Sequence, residues 1–231
     1  LETYEINTLG TAHVLEALRE VRHPCAAVFV TTDKVYRNEE KRHAFREEDP
    51  LGGQDPYSAS KAATEILISS YRDSFFQRHP VRIASARSGN VIGGGDYAKN
   101  RIVPDAFRAL RSGRGIPVRN PKSIRPWQHV LEPTSGYLAL SVHLSRDRKI
   151  DGAYNFGPSP RDQKTVAALV REILKKWPGR WKRFREKNPP HEAGRLQLNN
   201  RKAWQHLRWK PRLSFAQSVG MTMDWYRASM R

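Results

Sequence analysis

Residues 26–30, Ala-Ala-Val-Phe-Val, form an unbroken apolar run that ends abruptly at Thr31-Thr32-Asp33-Lys34. A run this short does not make a helix; it reads as a strand buried on both faces of a parallel sheet. Residues 81–86, Val-Arg-Ile-Ala-Ser-Ala, give a second strand. Before the first strand, Ile6, Leu9, Val14, Leu15 and Leu18 space an amphipathic helix over 3–21, stopped at His23-Pro24. Between the strands, 37–55 is a polar loop with Gly52-Gly53 and Asp55-Pro56, and the helical pattern resumes from Tyr57 to about Gln77. Helices alternating with short apolar strands specify an α/β fold with a mostly parallel sheet.

The pattern continues with a glycine-rich loop over 89–96, a helix over 101–110, a short edge strand at 116–118 and a helix over 130–144 with Pro133 in its first turn. A strand at 153–156, a helix over 165–177 and a strand at 181–185 follow. Two last helices end near Leu207 and Met230, the first capped by Asn199 or Asn200 and the second by Ser214. Trp127, Trp204, Trp209 and Trp225 are expected in the core. Strands thin out after about residue 160. The expected organisation is a partial parallel sheet with helices on both faces in 1–160, some of its segments contributing to the other lobe, and a smaller, mainly helical lobe in 161–231.

Composition narrows the function classes. With 231 residues, 38% hydrophobic and 28% charged, the chain has enough apolar content for a core. No apolar run approaches ~18 residues, so no membrane span is expected. One cysteine, Cys25, excludes an internal disulfide framework and a cysteine-based zinc site, and no metal is expected. A reducing, cytoplasmic setting fits that usage. Eighteen basic and five acidic residues lie in 161–231, so this stretch carries +13 of the net +18. Such a face attracts nucleic acid, acidic lipid or phosphorylated small molecules. The stretch has no zinc-finger spacing and no RNP-like motif, so a solvated basic surface is expected rather than a nucleic-acid partner.

Two groups of residues are placed to do chemistry. In an open α/β sheet the carboxyl ends of the strands face the ligand crevice, where Thr31, Thr32, Asp33 and Lys34 emerge. Tyr57 and Lys61 stand at i and i+4, one turn apart on one helix face. A neighbouring ammonium favours phenolate, which suits Tyr57 to act as a base.

The order strand, Thr-Asp-Lys, loop, then a helix opening on Tyr-x-x-x-Lys resembles the extended short-chain dehydrogenase/reductase superfamily. Gly89-Asn90-Val91-Ile92-Gly93-Gly94-Gly95-Asp96, Arg125-Pro126-Trp127-Gln128-His129-Val130, Asn155-Phe156-Gly157-Pro158 and Pro190-His191-Glu192-Ala193 narrow the match. Together they resemble the CDP-glucose 4,6-dehydratase family, nucleotide-sugar lyases of deoxysugar biosynthesis that use NAD internally. Two departures stand out. The Gly-x-x-Gly-x-x-Gly fingerprint of the family's first strand is absent, and the match begins at the helix holding Asn7-Thr8-Leu9-Gly10-Thr11. Leu1 is not a Met, so the chain is expected to be a fragment lacking roughly the first two βα units. Asn199 stands where the family pattern Leu-x-Leu-Asp has Asp.

The resemblance implies a Rossmann-like, NAD-binding 1–160 and a substrate-binding 161–231. It implies that Tyr57 takes the proton of the substrate C4 hydroxyl as C4 is oxidised, with Lys61 beside it. Asp33 would protonate the departing C6 hydroxyl, and Thr32 would hydrogen-bond the C4 oxygen. Related dehydratases carry Glu after this Asp as the C5 base; Lys34 stands there instead and needs a depressed pKa to serve. Thr31, Tyr57 and Lys61 would face the cofactor, and Asn90, Arg125, His191 and Arg195 the sugar nucleotide. A homodimer is implied, built from the helix over 3–21 and the helix opening at Tyr57. Two other readings stay open: another nucleotide-sugar dehydratase or epimerase of the superfamily, and a non-enzymatic basic remnant that binds anions or nucleic acid.

Overall fold

A computed structural model describes residues 1–40, 43–184 and 196–230. The chain begins helical over Glu2–Tyr4, passes through a π-helical segment at Glu5–Leu9 and continues as α1 (Gly10–Arg19). Then come β1 (Cys25–Val30), α2 (Pro56–Tyr71), β2 (Val81–Ser88), β3 (Val91–Ile92), α3 (Ile102–Arg111), β4 (Ile116–Val118), β5 (Ile124–Arg125) and β6 (Gln128–His129). The remaining elements are α4 (Leu131–Arg146), β7 (Gly152–Phe156), β8 (Lys164–Thr165), α5 (Val166–Lys176), β9 (Trp181–Arg183), α6 (Arg201–Leu207) and α7 (Phe215–Ala228). Among the described residues no helix is long and apolar enough to cross a membrane.

The described chain divides into two compact units that interleave along the sequence. The first comprises 1–89, 133–157 and 196–210; the second comprises 90–132, 158–195 and 211–231.

The first unit holds the parallel sheet, in the order β1-β2-β7. Val30 pairs with Ala86, and Ser88 with Phe156. Side chains of a strand alternate between faces, and β2 shows the consequence. Val81 and Ile83 pack with Leu15, Ile68 and Phe76 from the α1/α2 side. Ala84 and Ala86 pack with Leu140, Leu144, Tyr154 and Phe156 on the other side. Helices therefore cover both faces, as the sequence predicts. The first strand departs from its expected full burial. Its side chains are only half-buried, and Val30 is 50% exposed. Among the described residues β1 pairs on one edge only, and an open cleft of about 610 Å³ runs along it, lined by Ile6, Val14, Leu18, Val28 and Val30 among others.

The second unit gathers α3, α5 and α7 around Phe107, Ile116, Trp127, Ile173, Met223 and Tyr226. Ser214 caps α7 in a reciprocal arrangement with Gln217. The glycine-rich loop is moulded by α7: a Cβ on Gly94 would come within 2.1 Å of the Trp225 ring, and the Tyr226 hydroxyl donates to the Asp96 carbonyl at 2.5 Å. That loop also contains β3, which pairs in parallel with β6 and was not expected as a strand. The edge strand β4 pairs with β9.

Trp127 and Trp209 are buried as expected, but Trp204 and Trp225 are 43% and 44% exposed. The Trp204 ring lies under the cations of Arg208 and Lys210, and Trp225 covers Gly94. Both rings thus pack against polar side chains or backbone at the surface rather than in the core, a use of tryptophan that residue type alone does not reveal. Asn199 accepts from the Arg201 amide at 2.8 Å, an acceptor role that Asp fills equally. Asn200 braces Gly157 through both of its amide atoms.

Gly136 shows how tightly α4 meets the sheet. A Cβ there would lie 2.4 Å from Phe156. Gly136→Ala gains roughly 0.5–1 kcal/mol of helix propensity, but overpacking costs about 1–3 kcal/mol. The melting temperature of the variant is therefore expected to fall, and a rise in a thermal melt would contradict this packing.

Candidate functional site

The carboxyl end of β1 leads into a single 3₁₀ turn, Asp33–Val35, with Thr32 as its cap. The Thr32 hydroxyl accepts from the Lys34 amide and donates to Asp33 Oδ1 at 3.2 Å. Thr31, Thr32 and Asp33 are buried, Asp33 with only 3% exposure, while Lys34 reaches outward. Burying a carboxyl at a strand end is costly unless it is held by polar neighbours, and here the Thr32 hydroxyl is one of them.

The helix α2 packs beside this turn because its N-terminus is built to arrive there. Asp55 caps it, accepting from the Ser58 amide and hydroxyl at 3.0 and 2.6 Å, and Pro56 takes the first helical position. Burial pushes the Asp55 carboxyl up, but the Ser58 bonds and the Lys34 charge outweigh it and hold it low. Gly53 must be glycine: a Cβ would sit 2.3 Å from the Ala59 nitrogen. The capped first turn presents Tyr57, 43% exposed, with the Lys34 ammonium 5.8 Å from its ring centre. Lys61, one turn on, is half-buried and directs Nζ to the Val30 carbonyl at 3.5 Å. Burial lowers its pKa, and the Glu65 carboxylate opposes that shift. The structure thus brings Thr32, Asp33, Lys34, Tyr57 and Lys61 to one end of one unit.

Thr31 belongs to the same strand end, but its hydroxyl points inward and donates to Glu65 Oε1 at 2.5 Å. Asn90 and Arg125 lie in the other unit. The Asn90 carbonyl accepts from the Gln128 amide, and Arg125 forms β5, paired antiparallel with β8. His191 and Arg195 lie outside the described residues. Among the described residues no cluster of His, Cys, Asp and Glu is arranged to hold a metal ion.

Sequence reasoning missed two features of this end. Ser88, the last residue of β2, shares a 2.6 Å hydrogen bond with Tyr137 of α4, and the Asp33 charge adds to the burial that raises the Tyr137 pKa. Beneath Lys61, Glu65 and Arg87 form a buried ion pair at 2.8 Å, with both side chains under 5% exposed. Burial raises the Glu65 pKa, but Arg87, Thr31 and Ser85 together hold the carboxyl below its usual range. Burial likewise works against the Arg87 charge, and Glu65 more than restores it. The signal was available: a Glu in register with Tyr57 and Lys61, and an Arg near the carboxyl end of a strand that begins apolar on the same face.

Three comparisons with known proteins bear on this site. A model of the family described as GDP-mannose 4,6 dehydratase matches residues 1–222. A CDP-glucose 4,6-dehydratase of Salmonella typhimurium is 43% identical over the whole chain, which spans 66% of that relative's length. Among solved structures, a dTDP-glucose 4,6-dehydratase of Bacillus anthracis in complex with NAD superposes with a TM-score of 0.80 at 26% identity, covering 97% of this chain and 68% of that one. A UDP-glucuronic acid 4-epimerase of Bacillus cereus shares the fold, with a TM-score of 0.83 at 18% identity over 96% of this chain and 68% of its own.

Proposed function

Because the chain belongs to the GDP-mannose 4,6 dehydratase family, we propose that it is the catalytic and substrate-side part of a CDP-glucose 4,6-dehydratase. The reaction removes water across C5–C6 of the glucose and leaves a 4-keto-6-deoxy sugar. The observation that carries this reading is the buried Asp33 at the end of β1, followed by Lys34, whose ammonium lies 5.8 Å from the Tyr57 ring centre. A dehydratase needs an acid to expel the C6 hydroxyl. A 4-epimerase, the runner-up, needs none.

Tyr57 takes the proton of the C4 hydroxyl, and the Lys61 ammonium one turn away offsets the charge this places on the ring oxygen. Thr32 hydrogen-bonds the C4 oxygen. Once C4 is a ketone the C5 proton is acidic, and Lys34 is the candidate base for it. Asp33 protonates the departing C6 hydroxyl. NAD, when bound, supplies the two-electron oxidation at C4 and the matching reduction at C6. The half-buried Lys61 at the strand end fits the nicotinamide side of such a site, together with Tyr57, whereas the Thr31 hydroxyl is turned away onto Glu65. The sequence holds no Gly-x-x-Gly-x-x-Gly turn for the dinucleotide pyrophosphate, so residues 1–231 supply only the catalytic side. Asn90, Arg125, His191 and Arg195 complete the proposal as sugar-nucleotide contacts, with 1–160 as the cofactor and catalytic part, some of its segments contributing to the substrate lobe, and 161–231 as the remainder of that lobe. The proposed setting is cytoplasmic and the proposed assembly a homodimer, supported by the exposed Tyr4 and Ile66 on the first helix and α2.

The test uses an extended chain, in which residues 1–231 follow the part of the relatives' length they do not cover. Incubated with NAD and CDP-glucose, it is expected to give a product lighter by one water and carrying a C4 ketone, faster than with dTDP-glucose. A product of unchanged mass favours an epimerase, and faster turnover of dTDP-glucose transfers the reading to another dehydratase. Salt-dependent binding to random DNA without binding of CDP-glucose overturns it in favour of the anion-binding remnant.

A further inference from the structure

The odd-numbered face of β2 turns from apolar to polar along its length. Val81 and Ile83 enter the core, whereas Ser85 and Arg87 meet Glu65 of α2. The Glu65 carboxylate accepts three bonds: from Thr31 at 2.5 Å, Ser85 at 2.7 Å and Arg87 at 2.8 Å. Arg87 also donates to the Tyr36 hydroxyl at 2.8 Å, and Tyr36 donates to Asn155 at 2.7 Å. The Asn155 side chain donates in turn to the Phe45 carbonyl at 2.9 Å. The network therefore joins α2 to the carboxyl ends of all three strands of the sheet. Glu65 lies one turn beyond Lys61 and two beyond Tyr57, and Thr31 directly precedes the Thr32-Asp33-Lys34 turn.

Burying a charge pair is a poor way to stabilise a fold, since desolvation offsets the attraction and apolar residues of similar volume do as well or better. Its value lies in geometry, because three directed bonds to one carboxylate admit one placement of the helix, whereas apolar packing admits sliding. We propose that Glu65 is a positioning residue: held by Arg87, its carboxylate fixes the helix carrying Tyr57 and Lys61 against the turn carrying Thr32, Asp33 and Lys34. The catalytic consequence rests on the function proposed above; the structural one does not.

The test replaces both partners, Glu65→Leu with Arg87→Met, because removing one alone strands a buried charge and risks the fold. In residues 1–231, amide exchange at 31–35 is expected to quicken tenfold or more, while 27–29 and 82–84 stay protected. Unchanged exchange at 31–35, with the variant folded, overturns the proposal. Ser85→Ala keeps the ion pair and removes one bond, so it answers the same question if the double variant does not fold. Its exchange at 31–35 is expected to quicken about threefold, and no change overturns the proposal. In the extended chain, the double variant is expected to lose tenfold or more in kcat while KM for CDP-glucose stays within threefold. An equal loss through KM contradicts positioning. If the unmutated extended chain turns over no CDP-glucose, the proposed function falls, and the exchange measurement alone decides Glu65.

Discussion

Tyr57→Phe in the extended chain is expected to lower kcat on CDP-glucose by about 10²–10⁴-fold, the usual worth of a positioned proton-transfer group. The substitution removes one hydroxyl from a side chain that is 43% exposed, so neither packing nor stability is expected to change measurably. KM is expected to move little, because the lost interaction matters in the transition state rather than in binding. The check is a steady-state comparison alongside a thermal melt. A variant with near-parental kcat and an unchanged melt removes Tyr57 from the chemistry, and the whole strand-end reading with it. Lys61→Met offers no such clean separation, since Lys61 also bonds the Val30 carbonyl.

Residues 1–231 on their own are expected to give no detectable 4-keto product from CDP-glucose and NAD. Without oxidation at C4, the C5 proton is too weakly acidic for any base in the site to remove. NAD is also expected to leave the melting temperature unchanged, because a ligand stabilises a protein only through a site that holds it. The cleft beside β1, with exposed Ile6, Val14 and Val30, is an apolar face next to an edge strand open among the described residues, a combination that promotes self-association. The extended chain is expected to stay dispersed at concentrations where 1–231 aggregates in light scattering. Turnover by 1–231 comparable to that of the extended chain overturns this account of where the cofactor sits.

The α/β class was readable because β1 and β2 announce themselves as short apolar runs and their helices as apolar stripes. Tyr57, Lys61 and the Thr32-Asp33-Lys34 turn are each weak signals alone and drew attention through their order: strand, Thr-Asp-Lys, loop, then a helix opening on Tyr-x-x-x-Lys. Glu65 and Arg87 were not paired in advance, because their meeting depends on how α2 packs across β2, a contact between residues 22 apart in the chain. The same limit hid β3 and β6, two-residue strands that exist only through each other. The interleaving of the two units is likewise a property of long-range contacts, invisible to any window sliding along the chain.

The bond from Tyr226 to the Asp96 carbonyl spans 130 residues of sequence. A ribosome working at about 5–20 residues per second needs roughly 7 to 26 s to cover that interval. Throughout that time the glycine loop has been made but its template, Trp225 and Tyr226, has not. The strand end bearing Asp33 meets α2 and β2 within the first 88 residues and can settle early in synthesis. The nascent protein therefore acquires its proposed acid and base well before the loop next to Asn90 takes shape, and a chaperone acting on it would find that loop as the late, accessible segment.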